Sequence, residues 1–239
     1  MGLLKPQTLN LQTYEGKRAG KFRRAVSSSL ALLTDEETRI RLKKALRMCH
    51  NAVRVDHLDG SELDPAYEKL LLEELSAAKR CADLVIVCLH CGGQFNVVPG
   101  GLSRYFARLF ADHGADAVVC HHAHVVQPAE LLNGVPVAYG VGNYSLSPSS
   151  VYLLHTYLPT YSVAFHLTAE GASVRSSFSV LKITEDDHGA PVAWPADTLY
   201  DKLDGEGKTA LLRDVNAIVS RLTGRDCAEV AVKEEYAFG

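Results

Sequence analysis

Four histidines stand directly after apolar runs that read as β-strands: His90 after residues 84–89, and His121, His122 and His124 after residues 117–120. Imidazole nitrogen is a good ligand for Zn, Mn and Fe ions and changes charge near neutral pH, so such a group can hold a metal or move a proton. In extended backbone a His-x-His pair turns both rings to one side, because the side-chain period is two, and His122 and His124 have that spacing. A lone histidine is ordinarily a hydrogen-bonded core or surface residue. A cluster at one strand end, with His90 at another, is a candidate metal site. Gly92-Gly93 follow His90, and Gly140-Val141-Gly142-Asn143 follow a later apolar run; these glycines permit tight turns and close backbone approach. Asn143 can offer its amide oxygen to a metal or its NH2 to a substrate oxygen, and is equally at home in a turn.

For these residues to meet, their strands must end at one rim. Residues 84–89 (Leu-Val-Ile-Val-Cys-Leu) are a continuous apolar run rich in β-branched side chains, the pattern of a strand covered on both faces in the middle of a sheet. Asp64-Pro65 starts a helix before it, with Leu70, Leu71, Leu75 and Ala78 on one face. After it, Leu102, Tyr105, Phe106, Leu109 and Phe110 recur at helical spacing until Gly114. Residues 117–120 form a second apolar strand. A strand-helix-strand unit favours a right-handed parallel crossover, with both carboxyl ends on the side where open α/β sheets bind ligands. Asn133-Gly134 then predicts a two-residue hairpin turn between residues 129–132 and 135–139. A second hairpin is expected from about residues 161–167 and 173–183 around Glu170-Gly171. The last clear element is a helix over residues 208–222, stopped by Gly224.

The whole chain supports one α/β domain. With 239 residues, 47% of them hydrophobic, it can build a sizeable core. Residues 1–60 are hard to assign beyond a strand near residues 8–13 and a helix over residues 35–47; residues 61–183 form the clearest part, and residues 184–239 read as a C-terminal helical segment. The chain shows no apolar stretch of the roughly 18–20 residues that span a membrane and no signal-peptide order at its start, which makes the cytoplasm the default location. Residues 1–50 carry 11 Lys+Arg against 4 Asp+Glu, and the remainder 14 against 24. That asymmetry suits either a solvated helix or an arm for a polyanion. The six cysteines are scattered, as buried free thiols are. Cys88 and Cys91 have Cys-x2-Cys spacing and could join His122 and His124 around zinc, although no second pair follows. Gly205-Glu206-Gly207-Lys208-Thr209 resembles the end of a phosphate-binding loop, but Lys202 stands where its first glycine belongs; a helix start is the better reading.

Three ordered segments carry a family resemblance: Asp83 to Gln94, Gly114 to Val125, and Asn133 to Tyr144. They resemble the CapA family of bacterial capsule or poly-γ-glutamate synthesis proteins, similar in fold to calcineurin-like metallophosphatases. The resemblance is good over residues 80–147 and loose to about residue 183. It implies a β-sandwich flanked by helices, with divalent metal (Mn, Fe or Zn) at the strand ends. His90 would be the single ligand histidine, His122 and His124 the His-x-His ligand pair, and His121 the neighbouring catalytic acid; Asn143, Gly92 and Gly93, singled out above by residue type, are the expected substrate-binding residues. The implied chemistry is hydrolysis of a phosphoester or an anionic polymer, with no nucleic acid partner. The alternative is a non-catalytic binding or assembly module for an anionic capsule polymer, contacted by Lys17, Arg18, Lys21, Arg23 and Arg24. The family's Gly-Asp, Asn-Leu-Glu and Asn-Asn-His segments do not appear before His90, and Asp56-His57 is a poor substitute. The chain therefore reads as N-terminally incomplete or diverged, with a partial metal site. Gln94 stands where the family often has Glu, Cys91 where Trp is usual and Cys120 where Gly is usual. The family often works at the cell envelope.

Overall fold

Asp64 opens the first fully described helix: its side chain accepts the amide hydrogen of Ala66, and Pro65, which has no amide hydrogen to satisfy, takes the first helical position. In this computed structural model the described residues are 58–61, 63–155, 157–171, 173–225 and 231–238, with isolated positions between 29 and 42. The strand expected near residues 8–13, the basic residues 17–24 and Asp56-His57 lie outside them. Of the helix expected over residues 35–47, Thr38, Arg39, Arg41 and Leu42 are described and helical, and Asp35 accepts the Thr38 amide hydrogen at 2.9 Å.

The order from there is α1 (Pro65–Cys81), β1 (Ile86–His90), α2 (Gly101–Asp112), β2 (Ala117–His121), β3 (Ala129–Leu132) and β4 (Val135–Ala138). They build a four-stranded sheet in the order β1-β2-β4-β3, parallel except for β3. Asp116 sets the register of its first two strands. Its backbone amide donates to the Val85 carbonyl at 2.9 Å, and its carboxylate accepts the Val85 amide at 2.6 Å and the Lys79 ammonium at 2.7 Å. With the strand starts joined, Ile86 falls opposite Ala117 and His90 opposite His121. The expected turn forms between β3 and β4, with Asn133 at φ +51° and Gly134 at φ +85°, the left-handed pair of a type I′ hairpin.

Among the described residues, the expectation that residues 84–89 lie mid-sheet is not met. β1 is the edge strand among the described residues, its exposure alternates, and Ile86 is 47% exposed. Val85, Val87 and Leu89 pack towards α1 and α2, while Ile86 and Cys88 face outward. An unbroken apolar run shows that either face can be covered. It does not show that both are.

A second sheet is antiparallel and holds β5 (Tyr161–Glu170), β6 (Ser173–Glu185), β7 (Pro191–Pro195) and β8 (Tyr236–Phe238), with β7 and β8 both paired to β6. α3 (Ala196–Lys202) and α4 (Gly205–Thr223) follow β7. The C-terminal segment is thus not only helical: β7 and β8 are short and lack the alternation that marks a strand in sequence. Gly205 to Thr209 open α4, capped by Asp204, and Gly224 ends it at φ +68°. Ile218 and Val215 of α4, Phe178 and Val180 of β6 and Ala138 of β4 share one core, so both sheets bury apolar side chains in common.

The sheets also meet through backbone beside the histidines. The Val163 amide donates to the Val141 carbonyl at 2.9 Å, and Gly142 bridges Ser162. A Cβ on Gly142 would lie 2.8 Å from both the Ser162 Cα and the Tyr161 carbonyl oxygen, at φ +83°. Gly142→Ala is therefore expected to destabilise the chain by roughly 2–4 kcal/mol, from strained φ plus a backbone clash. Urea denaturation measures this, and a loss below about 1 kcal/mol would show that the sheets do not depend on this contact.

Candidate histidine site at the strand ends

The parallel register places His90 and His121 side by side at the carboxyl ends of β1 and β2, with His90 exposed and His121 half-buried. The segment after β4, from Gly140 to Asn143, leaves from the same end. The sequence expectation of a common rim holds for these strands.

The expected extended His-x-His pair does not form. β2 ends at His121, and the chain turns with His122 at φ +95° and His124 at φ +58°. Between them, the Ala123 carbonyl accepts the Phe95 amide at 2.7 Å, which ties this turn to the loop after β1. Positive φ in non-glycine residues is uncommon, and it persists where surrounding structure holds it, frequently at functional sites. The two rings consequently take different partners. His122 Nδ1 lies 2.9 Å from His90 Nε2, with ring centroids 4.8 Å apart. His124 is 6.1 Å from His122 between centroids, and its Nδ1 lies 2.8 Å from Asn143 Oδ1.

Two imidazole nitrogens at that separation share one proton, one ring donating and the other accepting. A divalent ion can take the proton's place: with ligand bonds of about 2.1 Å, two nitrogens lie about 3.0 Å apart at the right angle of an octahedral ion and about 3.4 Å apart at the tetrahedral angle of zinc. The His90–His122 separation of 2.9 Å is close to the octahedral spacing. Among the described residues, no group of three or more His, Cys, Asp or Glu is arranged to hold a metal. The Cys-x2-Cys does not supply such a group either. Cys88 is exposed rather than buried, and the Cys91 sulfur lies 3.2 Å from the Ser103 hydroxyl of α2.

Asn143 is 7% exposed, and its amide is taken up within the chain: Nδ2 donates to the His124 and Pro159 carbonyls, each at 2.9 Å. Gly92, at φ +100°, passes so close to α2 that a Cβ would lie 2.9 Å from Ser103 Oγ, which gives this glycine a packing reason. Gly93 follows in the same half-buried loop.

Sequence reasoning missed the residues that hold the loops. Phe95, at φ +50°, stacks on His124 with centroids 5.2 Å apart, and it shares a small core with Ala123, Val125 and Leu153. Gln127 donates to the Asn96 carbonyl at 3.0 Å, and Arg221 of α4 to the Tyr157 carbonyl at 2.7 Å. An aromatic inside a glycine loop was the one available signal for Phe95; the others have no periodicity to reveal them.

Burial holds the pKa values of His121 and His122 below the ordinary histidine value of 6.5, with His90 adding charge repulsion to both and His124 to His122. A ring whose pKa is lower in the folded chain is protonated more readily in the unfolded one. Its stabilising contribution is complete above about pH 6.5 and is lost as pH falls from there towards the lowered folded value. Melting temperatures at pH 7.5 and 5.5 should therefore fall more for the wild type than for His122→Gln. An equal fall in both would contradict the assignment.

The chain matches the family model described as "Bacterial capsule synthesis protein PGA_cap" over residues 13–147, more than half its length and including every histidine of the site. It is 39% identical over 80 residues to the PGA biosynthesis protein CapA of Bacillus subtilis (strain 168), covering 34% of this chain and 21% of that protein. It is 34% identical over 79 residues to the capsule biosynthesis protein CapA of Bacillus anthracis, covering 31% and 19%. The chain spans about a fifth of the length of these curated relatives. With the strand-end histidines inside a match of this extent, the chain belongs to the bacterial capsule synthesis protein PGA_cap family.

Proposed function

We propose that the chain acts in bacterial capsule or poly-γ-glutamate biosynthesis, and that its strand-end histidines serve metal-dependent hydrolysis of the phosphoesterase type on a metallophosphatase-like sandwich. The observation that carries this reading is the 2.9 Å approach of His90 Nε2 to His122 Nδ1. Family membership and the core shared by the two sheets support it.

His90 and His122 would hold a Mn, Fe or Zn ion. When bound, such an ion polarises a phosphoryl oxygen and lowers the pKa of a bound water. His121 stands beside His90 and, with its lowered pKa, is neutral at pH 7. A neutral imidazole there accepts a proton from an attacking water and returns it to the leaving oxygen. Gly92 turns its bare side to Ser103, so of the glycine pair it is Gly93 that would leave backbone free of a side chain where a substrate oxygen would approach. The substrate class is a phosphoester or an anionic capsule polymer.

A specific observation favours a second reading, a non-catalytic module that binds the polymer. The described residues bring two imidazoles within reach of each other but arrange no group of three His, Cys, Asp or Glu around a metal, and Gln94 cannot act as a base.

Metal analysis of the purified chain, together with turnover of a generic phosphodiester, separates the two. The hydrolase reading predicts bound Mn, Fe or Zn, and a loss of about tenfold or more in metal affinity and turnover in His90→Ala and His122→Ala. No metal and no turnover, with salt-sensitive binding to polyglutamate, would select the binding module and sink the hydrolase.

A further inference from the structure

Asn143 grips a single residue, His124, at two points. Nδ2 donates to the His124 carbonyl at 2.9 Å and to the Pro159 carbonyl at 2.9 Å, while Oδ1 lies 2.8 Å from His124 Nδ1. Backbone carbonyls only accept, so the atom facing both must be the NH2 group. The other atom is then the carbonyl oxygen, which also only accepts. His124 Nδ1 must therefore carry the hydrogen.

We propose that Asn143 is a positioning residue that locks His124 in the Nδ1-protonated tautomer and leaves Nε2 as its lone-pair nitrogen. Which imidazole nitrogen is protonated is set by the hydrogen bond that the other ring nitrogen or its partner makes, and neutral imidazole has one donor and one acceptor. The remaining contacts serve the same end. Phe95 stacks on one face of the ring, 20° from parallel, and restricts its rotation. The bond from Asn143 to the His124 carbonyl adds a fixed contact to a residue at φ +58°, a conformation that costs a non-glycine residue free energy. Pro159 links the grip to the start of β5 through the residue pair that precedes Tyr161.

The lock concerns the free chain and holds whether or not a metal binds. The use of Nε2 as a further ligand for a divalent cation rests on the function proposed above.

The test is a long-range proton–nitrogen NMR spectrum of the metal-free full chain, labelled with 15N-histidine and recorded at pH 8, above the ordinary histidine pKa of about 6.5. His124 is assigned among the 10 histidines by the signal that disappears in His124→Gln. The expected spectrum shows a pyrrole-type Nδ1 and a pyridine-type Nε2 for His124. A reversed or averaged pattern in the wild type overturns the proposal. In folded Asn143→Ala the single-tautomer signature should give way to the averaged one; its persistence there overturns the role of Asn143. If that variant does not fold, the wild-type spectrum decides by itself. Because the spectrum is taken without metal, its outcome is separate from success or failure of the metal assays.

Discussion

The site depends on one electrostatic and hydrogen-bonded join at the far end of the sheet from the histidines. Asp116 receives the Val85 amide and the Lys79 ammonium on its carboxylate and returns its own amide to Val85. The charge-assisted bonds are short, and they tie the last turn of α1 and the entry to β1 to the entry to β2. Parallel pairing then runs residue for residue to His90 and His121. A slip of one residue would turn the His90 ring to the opposite face and separate it from His122. The histidine geometry at one rim is set by a carboxylate at the other.

What the register brings close, the loops then fix. The turn after β2 departs from extended geometry at His122 and again at His124, and each departure costs roughly 1–2 kcal/mol if left uncompensated. Compensation comes from three directions: the Phe95 amide on the Ala123 carbonyl, the Asn143 amide on His124, and the small core under Phe95, Ala123, Val125 and Leu153. Arg221 adds a clamp from α4 to the Tyr157 carbonyl, so the second sheet's helix also holds a loop near the rim. Two imidazoles lie within hydrogen-bond reach, a third is fixed by its own partners, and Arg221 is the charged residue named among these contacts.

Much of this was legible in the residues. The helical spacing of Leu102, Phe106, Leu109 and Phe110, the Asn133-Gly134 turn and the Gly224 stop each have a local cause, and each element formed within a few residues of expectation. The rim was legible too, because strand-helix-strand units end their strands on one side. The edge position of β1 among the described residues was not: pairing is a property of partners, and the Ile86-Val87-Cys88 run is equally apolar with one neighbour or two. Nor was the turn at His122 and His124, since the His-x-His spacing fixes ring direction only if the backbone stays extended. β7 and β8 were hidden by their length, and the grip of Asn143 on His124 by a separation of 19 positions with no periodic relation.

The central claim is that His90 and His122 converge on one cation. Pulsed EPR of Mn²⁺ bound to the full chain reads nitrogen coordination directly. The account predicts coupling to directly bound imidazole nitrogens that weakens in both His90→Ala and His122→Ala. Manganese that binds with no imidazole coupling, or with coupling unchanged in both variants, would contradict it.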